Sequence, residues 1–314
     1  MGLRHALVIS GPSDPALPVD LTDWNAEHVI DDFLDFPAIA TPAAPASNVV
    51  RLFGRNLGGR ILPAIRGPSG LDTSLQPFLG RNKTAMFVVA GNGGVDTQFG
   101  LPITAVGTAQ TTTVDTTSTL GYVRRREWAI TTAATTAVAG LRGSAQMFGL
   151  GGTAAGRGGF FLVWRWGVGR GATVATHRAF CGMRAAAAAP TDVNPSTLLN
   201  LCGMGYDSAD TQIQFMHNDG TGAATKIPLG ASFPKPAVND STMYEIILFA
   251  PPGTTQSLSY LITNLLTGDT ASGVVTTDLP ATTTLLNLDS YVSVGGTSST
   301  IGIVNSGFYI ETDN

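Results

Sequence analysis

The sequence predicts a mainly β protein: a C-terminal β-sandwich or jelly roll, with a small N-terminal region that contains one short helix. Three observations carry this. Glycine (38) and proline (18) are abundant and recur between short apolar runs, which is the punctuation of turns rather than of long helices. Several of those runs alternate apolar and polar residues with the period of a strand. Only one stretch of the chain shows a clear helical stripe.

Residues 1–20 contain Pro12, Asp14, Pro15 and Pro18 and read as an extended arm. The helical stripe follows over residues 23–35. Ala26, Val29, Ile30, Phe33 and Leu34 recur at helical spacing, and Asp31, Asp32 and Asp35 fall mostly on the other face. Thr22 or Asp23 can cap its start and Pro37 ends it. Residues 37–48, PAIATPAAPASN, form a Pro/Ala linker, a composition that favours extended chain. Residues 48–94 alternate short apolar runs with Gly and Pro. Residues 103–139 hold twelve threonines from Thr104 to Thr136, a strand-favouring composition. GLGGTAAGRGG, residues 149–159, reads as a hinge and gives a boundary, so the predicted regions are 1–100, 101–154 and 155–314.

Beyond that hinge the strands are clearest. FFLVWRW (160–166) is nearly all apolar, as in a central strand. In TQIQFMH (211–217), Ile213, Phe215 and His217 share one face, and Asn218-Asp219-Gly220 closes the run with a turn. MYEIILFAP (243–251) and SLSYLIT (257–263) form the next pair, with Leu258, Tyr260 and Ile262 alternating. TIGIVNSGFYIET (300–312) gives a last strand or a bulged pair. A short helical turn is expected at Pro195–Leu199, with proline at its first position. Eight to ten short strands without a repeat period favour a sandwich over a propeller or solenoid.

Charged residues make up 13% of the chain and hydrophobic ones 43%. A chain this apolar and this lightly charged is not disordered, and subunit interfaces are the expected cover for its surface. Charge is uneven: residues 1–184 carry sixteen basic and eleven acidic side chains, and residues 185–314 carry two and eleven. The acidic half disfavours nucleic acid and anionic lipid. Arg51, Arg55, Arg60 and Arg66 form a basic cluster whose aromatic company is Phe53 alone, and Arg124, Arg125 and Arg126 form a short run. Ion pairs with neighbouring subunits are the expectation for the first group, and a strand edge or an inter-chain pair for the second. No secretory signal and no membrane span is expected, so the chain is expected to be made in a cytoplasm, soluble until assembled.

Several stretches resemble tailed-bacteriophage virion appendage proteins of the tail-fibre type. In the N-terminal part these are LTDWNAEHV (21–29) and PAIRGPSGLDTSLQPFLGRNK (63–83). In the C-terminal part they are GRGGFFLVWRWG (156–167), residues 201–234, YEIILFAPPG (244–253), TTDLP (276–280) and FYIETD (308–313). The resemblance implies an N-terminal virion-attachment region and a C-terminal concanavalin-like jelly-roll domain. It implies a homotrimer that contacts other virion proteins through its N-terminal part. It allows a receptor-binding, lectin-like role toward host surface polysaccharide, and head-decoration, head-fibre or baseplate placements.

No catalytic role is expected. His5, His28, His177 and His217 lack metal-ligand spacing, and no nucleophile elbow or P-loop occurs. The Gly-rich 149–159 segment lacks the GK[ST] of a phosphate loop. Asp207, Asp210, Asp219 and Glu245 are the late acids available to a glycosidase; turn chemistry is the stronger reading for the first three. The same loops offer Ca²⁺ ligands in principle, without the spacing of an EF-hand, so no metal and no cofactor is expected. Candidate ligand residues are Tyr206, Asp207, Asp210, Asn218 and Asp219, with Tyr260 and Tyr291 as further aromatic platforms. Tyrosines in such strands also build cores, and the pattern does not separate the two. Cys181 and Cys202 sit in apolar runs, which suits buried thiols; their spacing leaves a bridge open.

Overall fold

The computed structural model describes residues 35–46, 49–66, 72–74, 83–89, 96–112, 123–155 and 157–312. The predicted arm and helix before residue 35 lie outside the described residues, as does the centre of the Thr-rich tract. Two compact units divide the chain: residues 1–56 with 61–77, and residues 57–60 with 78–314. A three-stranded sheet in sequential order, β1 (Arg51–Leu57), β2 (Arg60–Arg66) and β3 (Asp72–Ser74), belongs to the first unit apart from Leu57 and Arg60, which are counted in the second.

The second unit is a β-sandwich. Its strands begin with β4 (Lys83–Val89), β5 (Asp96–Phe99), β6 (Ile103–Val106), β7 (Thr108–Gln110), β8 (Arg126–Ala134) and β9 (Val138–Gly143). They continue with β10 (Phe160–Val168), β11 (Arg178–Arg184), β12 (Leu201–Tyr206), β13 (Gln214–Asn218) and β14 (Thr225–Pro228). The last five are β15 (Met243–Ala250), β16 (Leu258–Asn264), β17 (Thr270–Val275), β18 (Asn287–Ser293) and β19 (Ser299–Thr312). A nine-stranded sheet runs β17-β16-β15-β10-β19-β4-β5, with β8 also on β19 and β7 on β8. A seven-stranded sheet runs β14-β13-β12-β11-β18-β9-β6.

Strand periodicity explains how the sheets face each other. Phe160, Leu162, Trp164, Trp166 and Val168 of β10 point to one side, and all are buried. Tyr244, Ile246 and Leu248 of β15 and Leu258, Tyr260 and Ile262 of β16 do the same. They meet Cys181 and Met183 of β11, Cys202, Met204 and Tyr206 of β12, and Phe215 of β13 in a single apolar core. Each such large side chain contributes roughly 1.5–3 kcal/mol by leaving water. β10 is central, paired with β15 and β19, as its continuous apolar run requires. The long β19 serves two neighbours on one edge: Ser299–Asn305 pairs with β8 and Gly307–Thr312 with β4. A register shift opposite Arg165 and Trp166 lets it do so.

The outer face of the seven-stranded sheet is also covered. Val138, Phe180, Leu201, Met216, Ala224 and Tyr291 form a second apolar cluster there, with Leu198 packed on it. Residues 185–200 lie over this face and are tied down by Tyr291, whose hydroxyl donates to the Val193 carbonyl at 3.1 Å. The expected helical turn is present as a 3-10 turn at Pro195–Thr197, with its proline leading. This cover explains why both faces of TQIQFMH are buried although the sequence alternates.

The predicted regions need correction. β4 to β9 belong to the sandwich, so neither residue 100 nor residue 154 is a boundary between compact units. The described residues of the Gly-rich segment, 149–155 and 157–159, form a pinned loop rather than a hinge. The Gly159 amide donates to the Gly149 carbonyl, the Gly152 amide to Gly253, and the Gly253 amide to Arg157, at 3.0, 2.8 and 2.9 Å. Glycine is required here for close approach: a Cβ on Gly158, with φ +68°, would stand 1.9 Å from the Gly151 carbonyl oxygen. Composition reads the same for a hinge and for such a crossing.

Candidate functional site

The residues that the sequence offered as ligand contacts hold the fold together. Tyr206 is fully buried. Its hydroxyl lies 2.8 Å from His177 Nδ1, while His177 Nε2 lies 2.8 Å from the Pro236 carbonyl oxygen. A carbonyl only accepts, so Nε2 carries the proton and the tyrosine donates to Nδ1. Burial, then the nearby Lys235 ammonium, lowers the His177 pKa to about 4. Lys235 itself donates to the carbonyls of Ala175 and Ser208, both at 2.9 Å, and sits 5.3 Å from the centre of the Tyr206 ring. Burial brings its pKa down to about 8.

Asp207 and Asp210 flank a tight turn and share one cation. Lys226 Nζ donates to Asp207 Oδ2 at 3.1 Å and to the two Asp210 oxygens at 2.6 and 2.5 Å. Asp207 Oδ1 accepts from the Ser196 amide and Asp210 Oδ2 from the Asp207 amide. Asn218 is fully buried: its Oδ1 accepts from the amides of Asn200 and Gly220, and its Nδ2 donates to the Thr221 carbonyl. Asp219 accepts from the Thr221 amide and hydroxyl, which pull its pKa down, at a turn whose Gly220 has φ +104°. Tyr260 is stacked on Phe215 with centroids 4.0 Å apart. Tyr291 belongs to the outer cluster. The structure thus gathers Tyr206, Asp207 and Asp210 at one end of the seven-stranded sheet, but it gives none of their polar groups to solvent alone.

The other charges follow the same pattern. Glu245 pairs with Arg165 at 2.7 Å, Asp192 with Arg178 at 2.8 Å, Glu127 with Arg170 at 3.1 Å and Asp96 with Arg126 at 3.1 Å. Arg60 pairs with Glu311 of the same chain and lies over the Phe161 ring. Arg60 and Arg126 therefore have intra-chain acids where the sequence suggested inter-chain ones or a strand edge. His217 Nδ1 donates to the Asp278 carbonyl at 2.8 Å. Among the described residues no group of three His, Cys, Asp or Glu is arranged to hold a metal ion, and no helix is long and apolar enough to cross a membrane.

Cys181 and Cys202 are free and fully buried on adjacent strands. In register, Cys181 faces Met204 and Cys202 faces Met183, so the two thiols are not partners. Burial raises both thiol pKa values. Iodoacetamide should therefore leave the native protein unmodified and add to both cysteines in denaturant. Intact mass reads this directly; labelling of the native protein would contradict the packing.

What the sequence did not mark is a groove of about 540 Å³ at one end of the sandwich. It lies between the pinned Gly-rich loop and the loop before β18. Met147, Phe148 and Leu285 give it an apolar side, Thr153, Thr282 and Thr283 a hydroxyl side, and Arg157 a cation. The signal was present: Arg157 is the one charged residue between Arg142 and Arg165.

No protein-family model matches the chain. No curated protein matches it either. Solved structures overlap with it at low identity. Peanut lectin with a 9mer peptide does so at 11% identity and a TM-score of 0.45, over 73% of this chain and 97% of the lectin. Lectin UEA-II complexed with galactose overlaps at 12% and 0.43, over 74% and 98%. A carbohydrate esterase from the Shiga toxin-encoding bacteriophage phi24B overlaps at 13% and 0.37, over 68% and 90%. Overlaps below a TM-score of 0.5 carry nothing about ligand or activity.

Proposed function

We propose that the chain is a non-enzymatic structural subunit of a tailed-phage virion appendage, a tail fibre or related tail protein. Its N-terminal part attaches to other virion proteins, and its sandwich is displayed outward. The observation that carries this reading is the commitment of the late carboxylates. Asp207 and Asp210 are held by Lys226, Asp219 by Thr221, and Glu245 by Arg165. A glycosidase needs two carboxylates that flank one bond, and each of these acids is instead turned to a partner of its own. The resemblance of residues 21–29, 63–83 and the C-terminal stretches to appendage proteins supports the same reading.

The subunit assembles as a homotrimer in this account. Light scattering on the purified full chain should give about three times the 32.5 kDa chain mass, and an unboiled denaturing gel should retain the trimer band. A monomer by both measures would remove the trimer and favour an adaptor or head-decoration role.

A further inference from the structure

We infer that the groove at Arg157 is a binding site for a carboxylate-bearing saccharide. Its cation is available. Arg126, Arg142, Arg165, Arg170, Arg178 and Arg184 each have a protein partner. Arg157 is exposed, and among the described residues no side chain or carbonyl accepts from its guanidinium. The backbone around it is fixed all the same, because its own carbonyl accepts from Gly253 and its amide approaches Ala154 at 3.3 Å. An arginine on a pinned loop presents a planar fork that matches a carboxylate with two parallel hydrogen bonds.

The rest of the groove suits a sugar. The hydroxyls of Thr153, Thr282 and Thr283 have no protein partner among the described residues, so they can exchange hydrogen bonds with sugar hydroxyls. Leu285, 51% exposed, and Met147 offer an apolar patch for a ring's C–H face. Crossing glycines keep side chains out of the floor: a Cβ on Gly151 would stand 2.3 Å from the Gly253 carbonyl oxygen. The volume of about 540 Å³ lies within the range of small-ligand sites. Among the described residues no acidic side chain lines the groove, so a bound carboxylate meets no like charge from them.

The site goes beyond the display role, since a sandwich that binds no sugar would still assemble into particles. The test is calorimetric titration of the full-length protein with oligosaccharides ending in glucuronate, galacturonate or sialate. The same chains with the carboxyl reduced to an alcohol are titrated in parallel. At least one acidic chain is expected to bind, and its reduced form to bind about tenfold more weakly or worse. Arg157→Gln should lose a similar factor, because the charge-assisted pair is gone, with an unchanged denaturation midpoint because the side chain is exposed. Absence of binding by all the acidic chains, equal binding of the reduced forms, or full binding by Arg157→Gln would each overturn the inference.

Discussion

Replacing Arg184 by methionine destabilises the sandwich by about 3–5 kcal/mol at pH 7. Asp289, the partner, is 1% exposed in the middle of β18. Arg184 Nε binds its Oδ2, and among the described residues no group hydrogen-bonds its Oδ1. Burial pushes the Asp289 pKa up, and the charges of Arg184 and Arg142 pull against that. Without Arg184 a carboxylate is left in the interior with only Arg142 near it, and the lost compensation is the whole effect. Lowering the pH to about 5 should shrink the loss, because a carboxyl that protonates no longer has a charge to bury. Adding Asp289→Asn should recover most of it. Urea titrations of the two variants against the parent check this; a single variant within about 1 kcal/mol of the parent would show that the pair does not hold the sheet.

Acidification from pH 7 to pH 4 removes roughly 3 kcal/mol through His177. Its folded pKa of about 4 lies below the ordinary imidazole value of 6.5. Between those values the unfolded chain binds the proton and the folded one does not. Stability is therefore full above pH 6.5 and is lost as the pH falls toward 4. The structural reason is specific. Nδ1 accepts from the Tyr206 hydroxyl and Nε2 donates to Pro236, so a second proton would take away the acceptor of a buried tyrosine O–H. Lys235 beside it adds repulsion. The double variant His177→Leu, Tyr206→Phe removes both ends of the contact and should show a flatter acid limb than the parent. Parallel acid limbs in the two proteins would place the acid sensitivity elsewhere.

The sandwich was legible in the sequence where strand period and turn residues agreed. Leu258, Tyr260 and Ile262 alternate into the core, and Asn218-Asp219-Gly220 turns the chain where its composition says. The continuous apolar run at 160–168 is central between two partners, as such runs require. What composition could not show was which sheet receives a strand. β4 to β9 lie before a Gly-rich segment that looks like a joint, yet β19 and β18 recruit them across more than a hundred residues. Local pattern carries no record of such distant pairing.

The site was less legible, for a related reason. Tyrosine and aspartate near a turn have the same pattern whether they face a ligand or a lysine. Lys226 is sixteen residues from Asp210, and nothing local to the DSAD turn announces that pairing. The groove was hidden differently. Its wall is glycine and threonine, residues that mark turns and strands everywhere in this chain. Only a lone arginine, in a stretch otherwise free of charge, set it apart.

Quantitative mass spectrometry of gradient-purified particles, released from a bacterial host that carries this gene, tests the proposed virion role most directly. Peptides from the whole chain are expected in the particles, in a copy number divisible by three relative to a known tail protein. A chain abundant in infected cells but absent from purified particles would contradict it.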